Sequence, residues 1–125
     1  MSTPAAAKPG PKSANGTQQT SSAIVVTTTT STAAEAEHIG ELLIRQRLAA
    51  CVQMTPIKTK YMWKGNVAFH DETLLTIKNL HTLYPKVQSL ILKTATYDLP
   101  EVIAQPVVGC SKAYFDWIVS QVTDA

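Results

Sequence analysis

Six side chains in this 125-residue chain have the chemical variety of a binding site: Trp63, Glu72, Lys78, Tyr97, Asp98 and Glu101. Lys78 ends an apolar run, where an ammonium group needs a carboxylate or solvent. Asp98 and Glu101 flank Pro100 and could meet it. Carboxylates, one lysine and aromatic rings together could line a polar cleft for a cation or small ligand, or form an ion-pair network that holds the structure together. His70 and Glu72 alternate onto one strand face, with Asp71 opposite, so a nitrogen and an oxygen ligand could converge there on a metal. The same pattern also fits a solvated strand end. His38 and His81 have no partner nearby in sequence and read as surface or capping residues. Catalytic signatures are missing. The chain has no GxSxG, no HExxH, no phosphate-binding glycine loop and no Cys/His pair at useful spacing, so it reads as a non-enzyme.

The elements that must position these residues follow from periodicity. "AIVVTTTT" (23–30) is β-branched almost throughout and reads as a strand. Thr32 followed by Glu35 is a capping box that opens a helix, with Ile39, Leu42 and Leu43 on one face. "LAACVQMTPIKTKYMW" turns from helix into a long strand around Cys51. Lys64-Gly65-Asn66 supplies a tight hairpin turn, and "VAFHDETLLTIKNL" returns as a second long strand. Pro85 suits the first turn of a second helix whose inward stripe is Leu83, Val87, Leu90, Ile91 and Thr94. "EVIAQPVV" is a fourth strand, with Pro106 pointing to an edge or bulge. Ser111 caps a last helix with Tyr114, Trp117, Ile118 and Gln121 on a common face. The order β-α-β-β-α-β plus a terminal helix predicts an α+β, ferredoxin-like sandwich: a four-stranded antiparallel sheet with two helices on one side.

Composition narrows the function classes. Residues 1–21 hold Pro, Gly, Ser, Gln and Ala without periodicity and read as a flexible tail, leaving residues 22–125 as one domain. The net charge of +2 comes from Lys8 and Lys12 in that tail, so the domain is neutral and shows no basic face for nucleic acid. No apolar run approaches a membrane span, and the N-terminus lacks the apolar stretch of a secretory signal. Cys51 and Cys110 are far apart in sequence and read as buried small hydrophobes in a reducing compartment. A cytoplasmic location is the expectation.

Several stretches together resemble the CutA family, named for divalent-cation tolerance: "RLAACVQ" (47–53), "YMWKG" (61–65), "DETLLTIK" (71–78), "TYDLPEV" (96–102) and "YFDWI" (114–118). The resemblance covers about residues 23–123. It implies a compact homotrimer of ferredoxin-like subunits, similar in architecture to the PII signalling proteins, with a role in the response to divalent metal ions such as copper. It also implies that the long hairpin reaches neighbouring subunits. A monomer would leave a long strand pair with an aromatic tip exposed. Tyr61 and Trp63 are therefore assigned to the trimer interface. Trp63, Glu72, Lys78, Tyr97, Asp98 and Glu101 are assigned to an inter-subunit cleft. Some family members place a Cys in the first strand and His before the Tyr of the "TYDLP"-like segment. Here those positions hold Thr28 and Ala95-Thr96, so the soft ligands that copper favours are replaced. Two alternatives stay open: a PII-like signalling trimer with a small ligand in its clefts, and a structural or scaffold trimer.

Overall fold

A computed structural model of the chain describes residues 22–122 and the two-residue strand Thr17–Gln18. The rest of the tail expected over residues 1–21 lies outside the described residues. Strand β1 (Thr17–Gln18) pairs antiparallel with β6 (Cys110–Ser111). The main sheet holds β2 (Ala23–Thr30), β3 (Cys51–Trp63), β4 (Asn66–Leu80) and β5 (Ile103–Pro106), in the order β3-β4-β2-β5 and antiparallel throughout. Three helices complete the unit: α1 (Ala33–Arg45), α2 (Tyr84–Thr94) and α3 (Lys112–Gln121). This is the expected ferredoxin-like arrangement.

Local chemistry sets the element ends. Thr32 caps α1, its Oγ1 accepting from the Glu35 amide at 3.1 Å. Pro85 lies in the first turn of α2, and Ser111 Oγ accepts from the Tyr114 amide to start α3. The hairpin turn is two residues long. Lys64 (φ 51°) and Gly65 (φ 83°) are both left-handed, and Asn66 already pairs with Trp63. Such a turn matches the strand twist, and only glycine adopts that backbone without cost. The fourth strand is shorter than expected, Ile103–Pro106 rather than 101–108, and it is an edge strand, where proline is tolerated.

The sheet separates two layers. On one face Ile24, Val26, Leu75 and Ile77 pack with Ile39 and Leu43 of α1 and Val87 and Ile91 of α2, all buried. Gly40 lets α1 approach the sheet closely, because a Cβ there would lie 3.3 Å from Val52 Cγ1. Thr28 is buried within this layer and pairs with Leu75. Helix α3 lies on the other face: Tyr114 meets Cys51, whose side chain points away from that of Val52. Its inward stripe is Tyr114, Phe115, Trp117 and Ile118, with Val122 just past its end; of the expected stripe only Gln121 is exposed. Strand β2 stops at Thr30, opposite Thr73, so residues 57–72 continue as a two-stranded ribbon. That ribbon carries exposed Tyr61, Met62, Trp63, Val67 and Phe69.

Candidate functional site

The open face of the ribbon and the loop after α2 enclose a cleft. Register places His70 opposite Thr59 and Glu72 opposite Ile57, so Thr59, Tyr61, Trp63, His70 and Glu72 share the face turned away from α1. Thr29 of β2 joins them, and Tyr97, Asp98, Leu99 and Glu101 close the other side. The cavity measures about 570 Å³, within the range of small-molecule sites.

A chain of polar contacts holds the loop. Glu35 Oε2 accepts from the Thr96 amide at 3.1 Å and from Thr96 Oγ1 at 3.0 Å. The neighbouring Tyr97 hydroxyl then donates to Glu72 Oε2 at 2.7 Å. Partial burial pushes the Glu72 carboxyl up. Hydrogen bonds with Thr59, Tyr97 and Thr29, together with the charge of His70, outweigh this and leave it below its usual value of 4.5. Partial burial, the bond to Glu72 and the charge of that carboxylate push the Tyr97 phenol well above its usual range, so it stays a donor. The aromatic wall is ordered too: Tyr61 and Trp63 meet edge to face at 6.4 Å, and Tyr61 lies 5.6 Å from the His70 ring.

Five of the six residues assigned from sequence come together here: Trp63, Glu72, Tyr97, Asp98 and Glu101, with His70 beside them. Lys78 does not join them. It lies six residues further along β4, roughly 20 Å by strand rise, with Nζ 5.9 Å from the Tyr114 ring centroid. Asp71 points to the opposite face and pairs with Lys58 at 2.8 Å. His38 on α1 and His81 after β4 are exposed and do not line the cleft. The sequence reading missed Thr29, Thr59, Thr96 and Glu35. The Thr32–Glu35 spacing suggested a capping box; Thr32 caps the helix through the Glu35 amide, while the Glu35 carboxylate holds the cleft loop.

Does this arrangement fit a resident divalent ion? Among the described residues no three His, Cys, Asp or Glu side chains stand together as a metal site. Glu72 Oε2 is taken by Tyr97, and Thr28 and Ala95, at the positions of the softer ligands, offer no metal donor side chain of that kind. The donor set does not form a cage for a divalent metal.

Comparison with known proteins settles the kinship. Residues 24–121 match the family model of the CutA1 divalent ion tolerance protein. The chain belongs to the CutA1 family. A CutA homolog of Danio rerio is 36% identical over 95 residues, covering 75% of this chain and 63% of that protein. The divalent-cation tolerance protein CutA of Thermus thermophilus is 34% identical over 84 residues, covering 66% and 82%. The chain thus spans less than two thirds of the zebrafish protein and about half of mouse CutA, at 51%. The solved CutA of Synechococcus elongatus superposes with a TM-score of 0.83 at 30% identity, covering 86% of this chain and 96% of that one. CutA1 of Oryza sativa gives 0.81 at 31%, covering 86% and 100%. The cleft is thus a feature of a CutA1-family chain.

The Tyr97–Glu72 pair carries a pH prediction. A carboxyl whose folded pKa is lowered contributes stability that is present above its unfolded value, near 4.5. That contribution is lost as pH falls through the lowered folded value. Tyr97→Phe removes one donor, so the Glu72 midpoint, followed by carboxyl NMR, should rise toward 4.5. The acid limb of the melting curve should then flatten. An unchanged midpoint would show that the hydrogen bond does not hold Glu72 ionised.

Proposed function

We propose that this CutA1 protein is a non-enzymatic homotrimer serving divalent-cation tolerance, copper included, and that it acts by binding in the Glu72 cleft rather than by catalysis. The carrying observation is the Glu72 carboxylate, bonded by the Tyr97 hydroxyl and facing an open aromatic wall. A carboxylate under aromatic rings attracts cationic or hydrogen-bonding ligands. No nucleophile with its own activating base is assigned to the cleft. The trimer reading rests on the exposed Tyr61, Met62, Trp63, Val67 and Phe69 of the ribbon, a patch that a second subunit would cover. A cytoplasmic site of action agrees with two free thiols at Cys51 and Cys110. The name divalent-cation tolerance protein belongs to the Thermus thermophilus relative and is carried over on kinship.

Light scattering and metal titration test this reading. Three chains of 13.5 kDa should give about 40 kDa in dilute solution. With its thiols alkylated, the protein should bind Cu(II) weakly, because no preformed cage exists among the described residues. His70→Ala should remove part of that binding, and Glu72→Gln a further part. A stable monomer would overturn the assembly. A tight stoichiometric site surviving loss of His38, His70 and His81 would overturn the cleft as the place of metal response.

A further inference from the structure

The charge of the Glu72 cleft is one-sided. Glu72, Asp98 and Glu101 line it and no lysine or arginine does, although the whole chain carries eleven Lys and Arg against nine Asp and Glu. Three of the nine acids thus face one cavity, and its field favours a cation. These carboxylates do not converge. Among the described residues no three His, Cys, Asp or Glu side chains stand together, so the cavity lacks the single point at which a bare metal ion needs its donors. The Tyr61 and Tyr97 rings and the apolar Leu99 complete much of the lining. Both rings are held in place. Tyr61 meets Trp63 edge to face at 6.4 Å and lies 5.6 Å from the His70 ring, and the Tyr97 hydroxyl donates to Glu72 at 2.7 Å. A space of about 570 Å³ is far larger than one ion and suits a small organic molecule.

We propose that the cleft takes a small organic ammonium ion, a primary amine on a short alkyl stem, with Glu72, Asp98 and Glu101 as its anionic partners and the Tyr61 and Tyr97 rings against its stem. An ammonium head carries three N–H donors pointing in different directions. Carboxylates set apart from one another can therefore satisfy it, where a metal ion requires donors gathered around one point. The aromatic faces attract the cation through their quadrupole and pack against its methylene groups. Thr29 and Thr59 add hydroxyl acceptors along the same wall. An alkylamine titrates near lysine, at about 10.4, so it enters the cleft charged at neutral pH. Binding is non-covalent and moves no proton. Trp63 serves only to hold the Tyr61 ring, so the site does not require an exposed indole. This inference rests on the reading of the Glu72 cleft as the binding site and names its ligand class. The weak Cu(II) binding expected there follows from a site shaped for a larger cation.

The test titrates the full chain, isotope-labelled at tyrosine, with n-butylammonium chloride and separately with n-butanol, which keeps the stem and loses the charge. Butylammonium should shift the Tyr61 and Tyr97 ring signals saturably at neutral pH, and butanol should bind much more weakly. Glu72→Gln should weaken butylammonium roughly 10–100-fold, the size of a hydrogen bond to a charged group. Tyr61→Leu should weaken it roughly 2–5-fold, the size of an exposed cation–π contact. The butanol response should be the same in Glu72→Gln as in the unmodified chain, which a collapsed cleft would not allow. Equal binding of the two probes would overturn the proposal, and so would undiminished butylammonium binding by Glu72→Gln. A parallel titration with Cu(II) separates this inference from the reading beneath it. Cu(II) that broadens the same tyrosine signals while butylammonium leaves them unshifted would overturn the ligand class and leave the cleft as the binding site. Signals that respond to neither would overturn both. Should Glu72→Gln loosen the Tyr97 loop, the comparison of butylammonium with butanol on the unmodified chain still decides.

Discussion

Trp63→Ala should weaken the assembled protein more than the isolated subunit. Within one chain the indole is still 44% exposed at the ribbon tip. If a neighbouring subunit covers the rest, roughly 110 Å² of aromatic surface leaves water on assembly, worth about 3 kcal/mol per site. In the proposed trimer threefold symmetry would repeat that loss, so dissociation should begin at much higher protein concentration in the variant. The subunit fold should persist, because the buried core on the α1 side does not include Trp63. Fluorescence checks the same point. Trp117→Phe leaves Trp63 as the only indole. Its emission should be blue-shifted in the assembly and move toward the solvent value on dilution. Red, iodide-quenchable emission in an intact assembly, with the mass unchanged by Trp63→Ala, would make Trp63 a ligand platform in the cleft instead.

Ile77→Ala should act in the opposite way, lowering stability at every concentration. Ile77 is fully buried in β4, between Val26 of β2 and Val52 of β3 and beneath α1. Neither neighbouring strand can close the space, because both are held in register by β4 along most of their length. Removing three carbons there leaves a cavity, and the expected loss is about 2–5 kcal/mol. Urea unfolding should show a lower midpoint with an unchanged slope, the mark of a stability change rather than a change in the surface exposed. A loss below about 1 kcal/mol would mean the core relaxes around the shortened side chain more freely than close packing allows.

The two variants differ because the molecule has two kinds of apolar surface. The layer under α1 and α2 was legible residue by residue: Ile39 and Leu43, then Val87, Leu90 and Ile91, fall on the faces their spacing predicts, and all are buried. Periodicity reports burial within a chain because helix and strand geometry repeat locally. The ribbon face was legible only as a problem, since alternation says that Tyr61 and Trp63 share a side but not what lies against it. The last helix shows the same limit. Its start at Ser111 was readable from the cap, yet its stripe was drawn through Gln121 instead of Phe115 and Val122. A helix resting on one end of a sheet buries only the residues above that end.

Strand and helix order in the main sheet, the ferredoxin-like topology, a tight hairpin turn around Gly65 and membership of the CutA1 family were all determined by the sequence itself. Each depends on local dihedral preference, on the period of apolar residues or on motifs in order along the chain. Which polar groups meet was decided by tertiary structure alone. Lys78 and Glu72 share one strand face, and the sequence reading grouped them in one cleft; strand rise separates them, sending Lys78 to Cys51 and Tyr114 and leaving Glu72 to Tyr97. Glu35 read as a cap, and the loop after α2 also took its carboxylate. Contacts between residues far apart in sequence depend on strand register and on where a loop lands. Neither leaves a periodic trace along the chain.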